Sequence, residues 1–182
     1  LEPGTEAQHL GLVHGGLPTG ALRDERVADL GATCIYAHDD ETERSVLDRY
    51  PSARPLPMQG LMVRSALARS SDGAVMVLHR GHHTVEVSVA KANRLLLSNT
   101  YPARTSQDLL YFALLAAEGS GTKASEIHVH RGGTHFTEHE GDLLRRFFGK
   151  EECAVQVGTE ASQAGVNAHR WLALLEQFAC VS

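Results

Sequence analysis

The order of hydrophobic periodicities in this chain predicts an α/β fold built on a mixed five-stranded sheet with helices on both faces. Three observations predict it. Residues 74–79 are a nearly unbroken apolar run, the pattern of a central strand covered on both sides. Two further strand patterns follow across connections too short for a crossover, which makes an antiparallel meander. After the meander, segments of helical period and strand-like segments alternate to the end of the chain. With 182 residues, 42% of them apolar, there is enough chain to bury such a core.

Residues 1–30 hold Gly4, Gly11, Gly15, Gly16 and Gly20 with Pro3 and Pro18 and keep no period for long, so this stretch is expected to be irregular. A short helix from Leu22 to Leu30 is the one element anticipated in it. The absence of a leading methionine suggests a processed or trimmed chain. Residues 32–37 (ATCIYA) form a strand pattern. Asp39, Asp40 and Glu41 then suit a helix N-terminus, Val46, Leu47 and Tyr50 supply an apolar stripe, and Pro51 stops it. Residues 54–56 are a short extended piece between prolines, and Met58, Leu61, Met62 and Ser65 lie at i, i+3, i+4 and i+7 of a second helix. The order to this point is βαβα over residues 31–72, a partial first lobe, closed by the turn cluster Ser70-Ser71-Asp72-Gly73.

The second lobe, 73–182, opens with the strand at 74–79. In 84–90, Val85, Val87 and Val89 alternate with Thr84, Glu86 and Ser88. Lys91-Ala92-Asn93 turns the chain into a third strand at 94–98. Thr105 and Asp108 have capping-box spacing, and the helix they open is apolar almost all round from Leu109 to Ala117, which predicts burial on more than one side. A strand at 127–130 ends in the tight turn Gly132-Gly133. Thr137 and Glu140 repeat the capping box before Leu143, Leu144, Phe147 and Phe148. A strand at 153–157 and a helix carrying Trp171, Leu174, Leu175 and Phe178 complete the order βββαβαβα.

That order is the one of ribonuclease H-like folds, whose ligands sit beyond the carboxyl ends of the parallel strands. A two-metal nuclease on this scaffold needs converging carboxylates, but the first strand ends in His79 and the fourth offers His128 and His130. Nuclease chemistry is therefore rejected. The other chemistry common on the fold is nucleotide binding by an actin-like clasp. His79-Arg80-Gly81-His82-His83-Thr84 lies where actin-like ATPases place an Asp, a glycine-rich phosphate turn and a Thr, and it resembles that turn at Gly81 and Thr84. His79 replaces the Asp, while His82 and His83 stand where bare backbone would approach a phosphate. Ile127 through Gly132-Gly133-Thr134 is similar to the second glycine turn, the one beside adenosine. The alternative is that Gly81, Gly132 and Gly133 only make tight turns.

The run Arg94-Leu95-Leu96-Leu97-Ser98-Asn99-Thr100-Tyr101, then Thr105, then Gln107-Asp108-Leu109-Leu110-Tyr111-Phe112, resembles a bacterial family known as domain of unknown function 3822. So does Ala168-His169-Arg170-Trp171-Leu172-Ala173-Leu174-Leu175 running to Cys180. The resemblance spans 32–182. It implies an actin-like two-lobed architecture distantly similar to pilus and secretion assembly proteins, with a longer first lobe than residues before 31 supply. A clasp needs both sides, so the expectation is a non-catalytic actin-like domain with a degenerate nucleotide site at Gly81, Thr84, Gly132, Gly133 and Thr134, and no bound cofactor. It would act by holding another protein, with self-association a further option. The alternatives are an ATP-binding switch or ATPase, and a histidine metal site near His79 and His130.

Eleven histidines prompt that last alternative, since neutral imidazole is the commonest Zn²⁺ ligand. Seven of them, His79, His82, His83, His128, His130, His135 and His139, lie around the expected sheet ends, but no Cys stands near these at ligand spacing, so zinc is not expected. His135-Phe136-Thr137-Glu138-His139 matches the H-x-x-E-H string of inverted zinc proteases. Thr137 reads as a helix N-cap, however, which leaves His135 outside the helix and breaks the i, i+4 geometry. No G-x-S-x-G elbow, Walker loop or C-x-x-C pair is present. A formal charge of −5 argues against nucleic-acid binding. The apolar run at 109–117 is too short to span a bilayer. No secretory signal opens the given chain, and Cys34, Cys153 and Cys180 read as thiols in a reducing compartment, so a cytoplasmic location is expected.

Overall fold

The computed structural model describes residues 5–16, 20–154 and 168–181. The chain divides into two compact units, Leu1–Gly60 and Leu61–Ser182, the break falling earlier than the Ser70–Gly73 turn.

The first unit departs from the expected irregular start. Helix α1 (Glu6–His14) closes on Gly15, whose left-handed backbone returns its N–H to the Gly11 carbonyl. Strand β1 (Ala21–Val27) then pairs antiparallel with β2 (Ala32–His38), from Ala21 opposite His38 to Val27 opposite Ala32. The helix anticipated from Leu22 is thus a strand. Its sequence, ALRDERV, is too polar to show a buried face, and the cross-strand ladder overrides local preference. Helix α2 (Asp40–Arg49) starts where expected, with the Asp39 carboxylate accepting from the Thr42 amide at 2.8 Å. Its apolar stripe is not covered, since Val46 and Tyr50 are exposed. Residues 54–56 form no strand, because Pro55 and Pro57 remove the ladder donors on either side of Leu56. The order is therefore αββα and not βαβα up to the start of α3 (Met58–Arg69), which straddles the division.

In the second unit the predicted order appears in full. The sheet runs β5-β4-β3-β6-β7, with β3 (Ala74–Arg80), every residue of it buried, at the centre. β4 (Thr84–Lys91) is antiparallel to β3 and to β5 (Arg94–Pro102). Ala92 and Asn93 both take positive φ at their junction, as a two-residue hairpin of matching twist requires. β5 runs on past Ser98 through Tyr101, since Asn99 and Thr100 continue the ladder opposite Val87 and Glu86. β6 (Ile127–Gly132) is parallel to β3, and β7 (Lys150–Cys153) is parallel to β6. β7 begins earlier than the strand read at 153–157; residues 155–157 lie outside the described residues.

Alternation gives the sheet two different faces. Met76, Leu78, Val85, Val87, Val89 and Val129 meet Leu109, Ala113, Ala116 and Ala117 of α4 (Ser106–Gly119) and Leu144 of α5 (Glu138–Arg145) in one core. Both capping boxes form, Thr105 with Asp108 and Thr137 with Glu140. α4 is fully buried along Leu109, Ala113, Ala116 and Ala117, and Leu110, Phe112 and Leu114 to either side are partly buried against the same core, while Tyr111 is 60% exposed and Leu115 39%. In the C-terminal helix α6 (Leu172–Val181), Leu172 is fully buried, whereas Trp171 just before it, Leu174 and Leu175 are exposed. The side chain of Phe178 lies outside the described residues. Cys34 and Cys153 are half-buried free thiols, and nothing is described of the Cys180 side chain. No helix among the described residues is long and apolar enough to cross a membrane.

Candidate functional site

Because β3 and β6 are parallel neighbours with His79 opposite Gly132, both glycine turns emerge at the same end of the sheet. Gly81 donates its N–H to the Thr84 carbonyl at 2.9 Å, closing the β3–β4 turn over His82 and His83. A Cβ on Gly81 would touch Thr84 Oγ1 at 3.0 Å. Gly133, at φ +110°, presses on the end of β3, where a Cβ would fall 2.4 Å from the Arg80 carbonyl oxygen. Gly132 and Gly133 are buried and Thr134 is exposed, its hydroxyl 2.8 Å from His135 Nδ1. The predicted nucleotide residues are thus gathered at one place, and Gly133 serves close packing of one turn on the other.

A cleft of about 570 Å³ opens beside these turns, lined in part by Arg80, Arg104, Thr105 and Glu140. Arg80 is buried and its guanidinium is occupied. Nη1 donates to the carbonyls of Ala103 and, at 3.3 Å, Thr84, and Nε donates to Glu140 Oε1 at 3.4 Å. The other Glu140 oxygen accepts from the Thr137 amide at 2.8 Å. An Arg–carboxylate pair removed from water holds its place only with such added hydrogen bonds. The amides that helix N-termini offer to anions are also partly committed here. At α4, Asp108 takes the N–H groups of Arg104 and Thr105, both at 2.9 Å, and Thr105 takes that of Asp108. His82 packs against His83 and His135, with ring centroids 3.8 and 5.0 Å away. His82 above all, then partial desolvation and the charges of Arg104 and Arg80, pull His83 below the ordinary histidine pKa.

The histidines of β3 and β6 project from the opposite face of the sheet. His79 Nδ1 lies 3.0 Å from Glu86 on β4. His130 gathers instead with His128, two residues before it, and with Glu152, its neighbour in register on β7. Burial first, then His128, lowers the His130 pKa to about 4 against the opposing pull of Glu152, so its imidazole is neutral at pH 7. Burial works against ionisation of Glu152, but Lys150 and the two histidines outweigh it and hold its carboxyl below the usual value. His79 and His130 therefore belong to separate clusters. His135 stands before the Thr137 cap and outside α5, so the i, i+4 geometry of the H-x-x-E-H motif is absent, as expected. Glu140, Arg104 and Glu152 escaped the sequence reading. A capping-box glutamate looks purely structural, and the approach of Glu152 to the histidines needs the β6–β7 pairing.

The family described as "Protein of unknown function (DUF3822)" matches residues 2–148. That match includes nearly all of the first thirty residues, beyond the resemblance at 32–182, and leaves out the 168–180 segment of that resemblance. No curated protein matches the sequence. Among solved structures, the fold is similar to a crystal structure from Bacteroides thetaiotaomicron described as a protein with actin-like ATPase fold and unknown function. The identity is 14% and the TM-score 0.73, over 96% of this chain and 66% of that one. This chain thus spans just under two thirds of that protein's length. With the strand order β5-β4-β3-β6-β7 and a match over most of its length, the chain belongs to the DUF3822 family and carries an actin-like ATPase fold.

Proposed function

We propose that this is a non-catalytic actin-like domain, a first partial lobe followed by a complete second one, that acts in the cytoplasm by holding another protein. The observation that supports the reading is the set of side chains at the end of the sheet where the two glycine turns meet. His82 and His83 occupy the turn where a phosphate needs open backbone, and Arg80 is spent on Glu140 and two carbonyls. A phosphate entering the cleft meets the Glu140 carboxylate and helix-cap amides already bonded within the chain. With the nucleotide grip degenerate, what remains of the fold is its surface. Titration calorimetry with Mg-ATP tests this. The expected result is no binding tighter than 10 μM, which corresponds to roughly 7 kcal/mol; tighter binding overturns the proposal.

The second reading is an ATP-binding switch. It is favoured by the convergence of Gly81, Thr84 and Gly132-Gly133-Thr134 at one sheet end, beside a cleft with Arg80 and Arg104 in its wall. Saturable micromolar Mg-ATP binding that is lost in an Arg104→Glu variant supports this reading over the first.

A further inference from the structure

We propose that His128, His130 and Glu152 form a binding site for a transition-metal dication of the Zn²⁺ class, with a fourth coordination position left for water or a donor from another molecule. Strand geometry builds the site. Residues two apart on β6 share a face, so both imidazoles project together, with ring centroids 4.1 Å apart. The parallel pairing sets Glu152 of β7 opposite His130. His128 Nε2 and His130 Nδ1 each lie 3.2 Å from the same carboxylate oxygen, Oε1, and all three ligand atoms fall within 4.8 Å of one another. Metal–ligand bonds of about 2.0–2.1 Å at tetrahedral angles separate neighbouring donors by about 3.3 Å. The two nitrogen–oxygen distances are already those of a loaded site.

A second observation points to a ligand. His128 Nε2 is closed off from solvent and has no hydrogen-bond partner among the described residues, although the carboxylate oxygen is 3.2 Å away. The oxygen is near but off the direction a hydrogen bond needs, whereas a metal between the two atoms would satisfy both. Lys150 Nζ, 3.1 Å from Glu152 Oε2, steadies the carboxylate through its other oxygen, as an outer-shell group does. The nearby cation of Arg69 is paired with Glu176 at 2.9 Å. Two imidazoles and one carboxylate select Zn²⁺, Co²⁺ or Ni²⁺ over Mg²⁺ and Ca²⁺, which take oxygen ligands. The site lies on the face of the sheet opposite the Arg80 cleft, so it stands whether or not ATP binds.

The test uses the full chain without an affinity tag, stripped with chelator. Zn²⁺ calorimetry and Co²⁺ absorption are expected to show one ion per chain, with a Kd of about 1 μM or tighter at neutral pH. His128→Gln and Glu152→Gln should each weaken binding by at least about 10-fold, the lower bound seen even for outer-shell changes. His82→Ala/His83→Ala should leave it unchanged. Where a variant does not fold, X-ray absorption of the wild-type zinc complex decides, two imidazole ligands supporting the site and fewer overturning it. The proposal is also overturned if the wild-type chain shows no saturable one-to-one binding, if both glutamine variants keep full affinity, or if the His82/His83 change removes it.

Discussion

Gly133 is the residue on which the junction of the two turns depends. Its φ of +110° is open to few L-residues, and a Cβ there would sit 2.6 Å from the Arg80 nitrogen and 2.4 Å from its oxygen. Both atoms are backbone of the central strand, so neither gives way cheaply. Gly133→Ala is expected to destabilise the fold by about 3 kcal/mol, combining backbone strain with overpacking. Urea denaturation measures it, and a loss under about 1 kcal/mol would show that the turn relaxes freely. Arg80 shows how a residue's meaning depends on its surroundings. In the sequence it is one more basic residue before a glycine; in the fold it is buried and bonded to Glu140, Thr84 and Ala103.

Helix α4 shows the same contrast at the next scale. Its apolar residues run almost without a break, which leaves a helical-period reading no polar face to orient it. Packing chooses the stripe Leu109, Ala113, Ala116 and Ala117, spaced i, i+4, i+7 and i+8, and leaves Tyr111 in solvent. Leu109→Asp should therefore abolish cooperative folding, because an unpaired buried carboxylate adds several kcal/mol to the loss of a leucine. Tyr111→Asp, two residues on, should shift the melting temperature by no more than a few degrees, within the range of about 0.5 kcal/mol usual for surface changes. Equal effects at both positions would mean that α4 is rotated from the orientation described. α6 repeats the lesson: its spaced Leu174 and Leu175 are exposed, while Leu172 is buried.

For the whole molecule, the core cluster among the described residues runs from Ala74 to Phe148, yet the second compact unit begins at Leu61. Between them lies α3, with Met62 and Ala66 fully buried and Ser70 bonded through its carbonyl to the Ala92 amide at 2.8 Å. Ser65 and Arg69 both reach Glu176 at 2.9 Å. A fragment of residues 57–182 is expected to unfold in one cooperative transition. A fragment of 73–182 should be less stable by several kcal/mol, having lost those buried side chains. Equal midpoints in urea for the two fragments would place the true boundary at the Ser70–Gly73 turn.

Strand and helix order from residue 74 onward was legible because its signals are local. The apolar run of β3, the alternation of β4 and both capping boxes depend on residues within a few positions of one another, and each element formed. In the first unit β2 and α2 were legible, but α1 and β1 were not, since β1 is too polar to show a face and is specified by pairing with β2. The candidate site divides in the same way. Gly81, Gly132 and Gly133 stand out in the sequence because a tight turn needs glycine wherever it lies. The Arg80–Glu140 pair joins residues 60 positions apart, and Glu152 meets His128 and His130 across a parallel strand pair whose register no local pattern records. Side chains so distant along the chain meet only once the sheet has assembled, so tertiary structure alone decided which groups share a site.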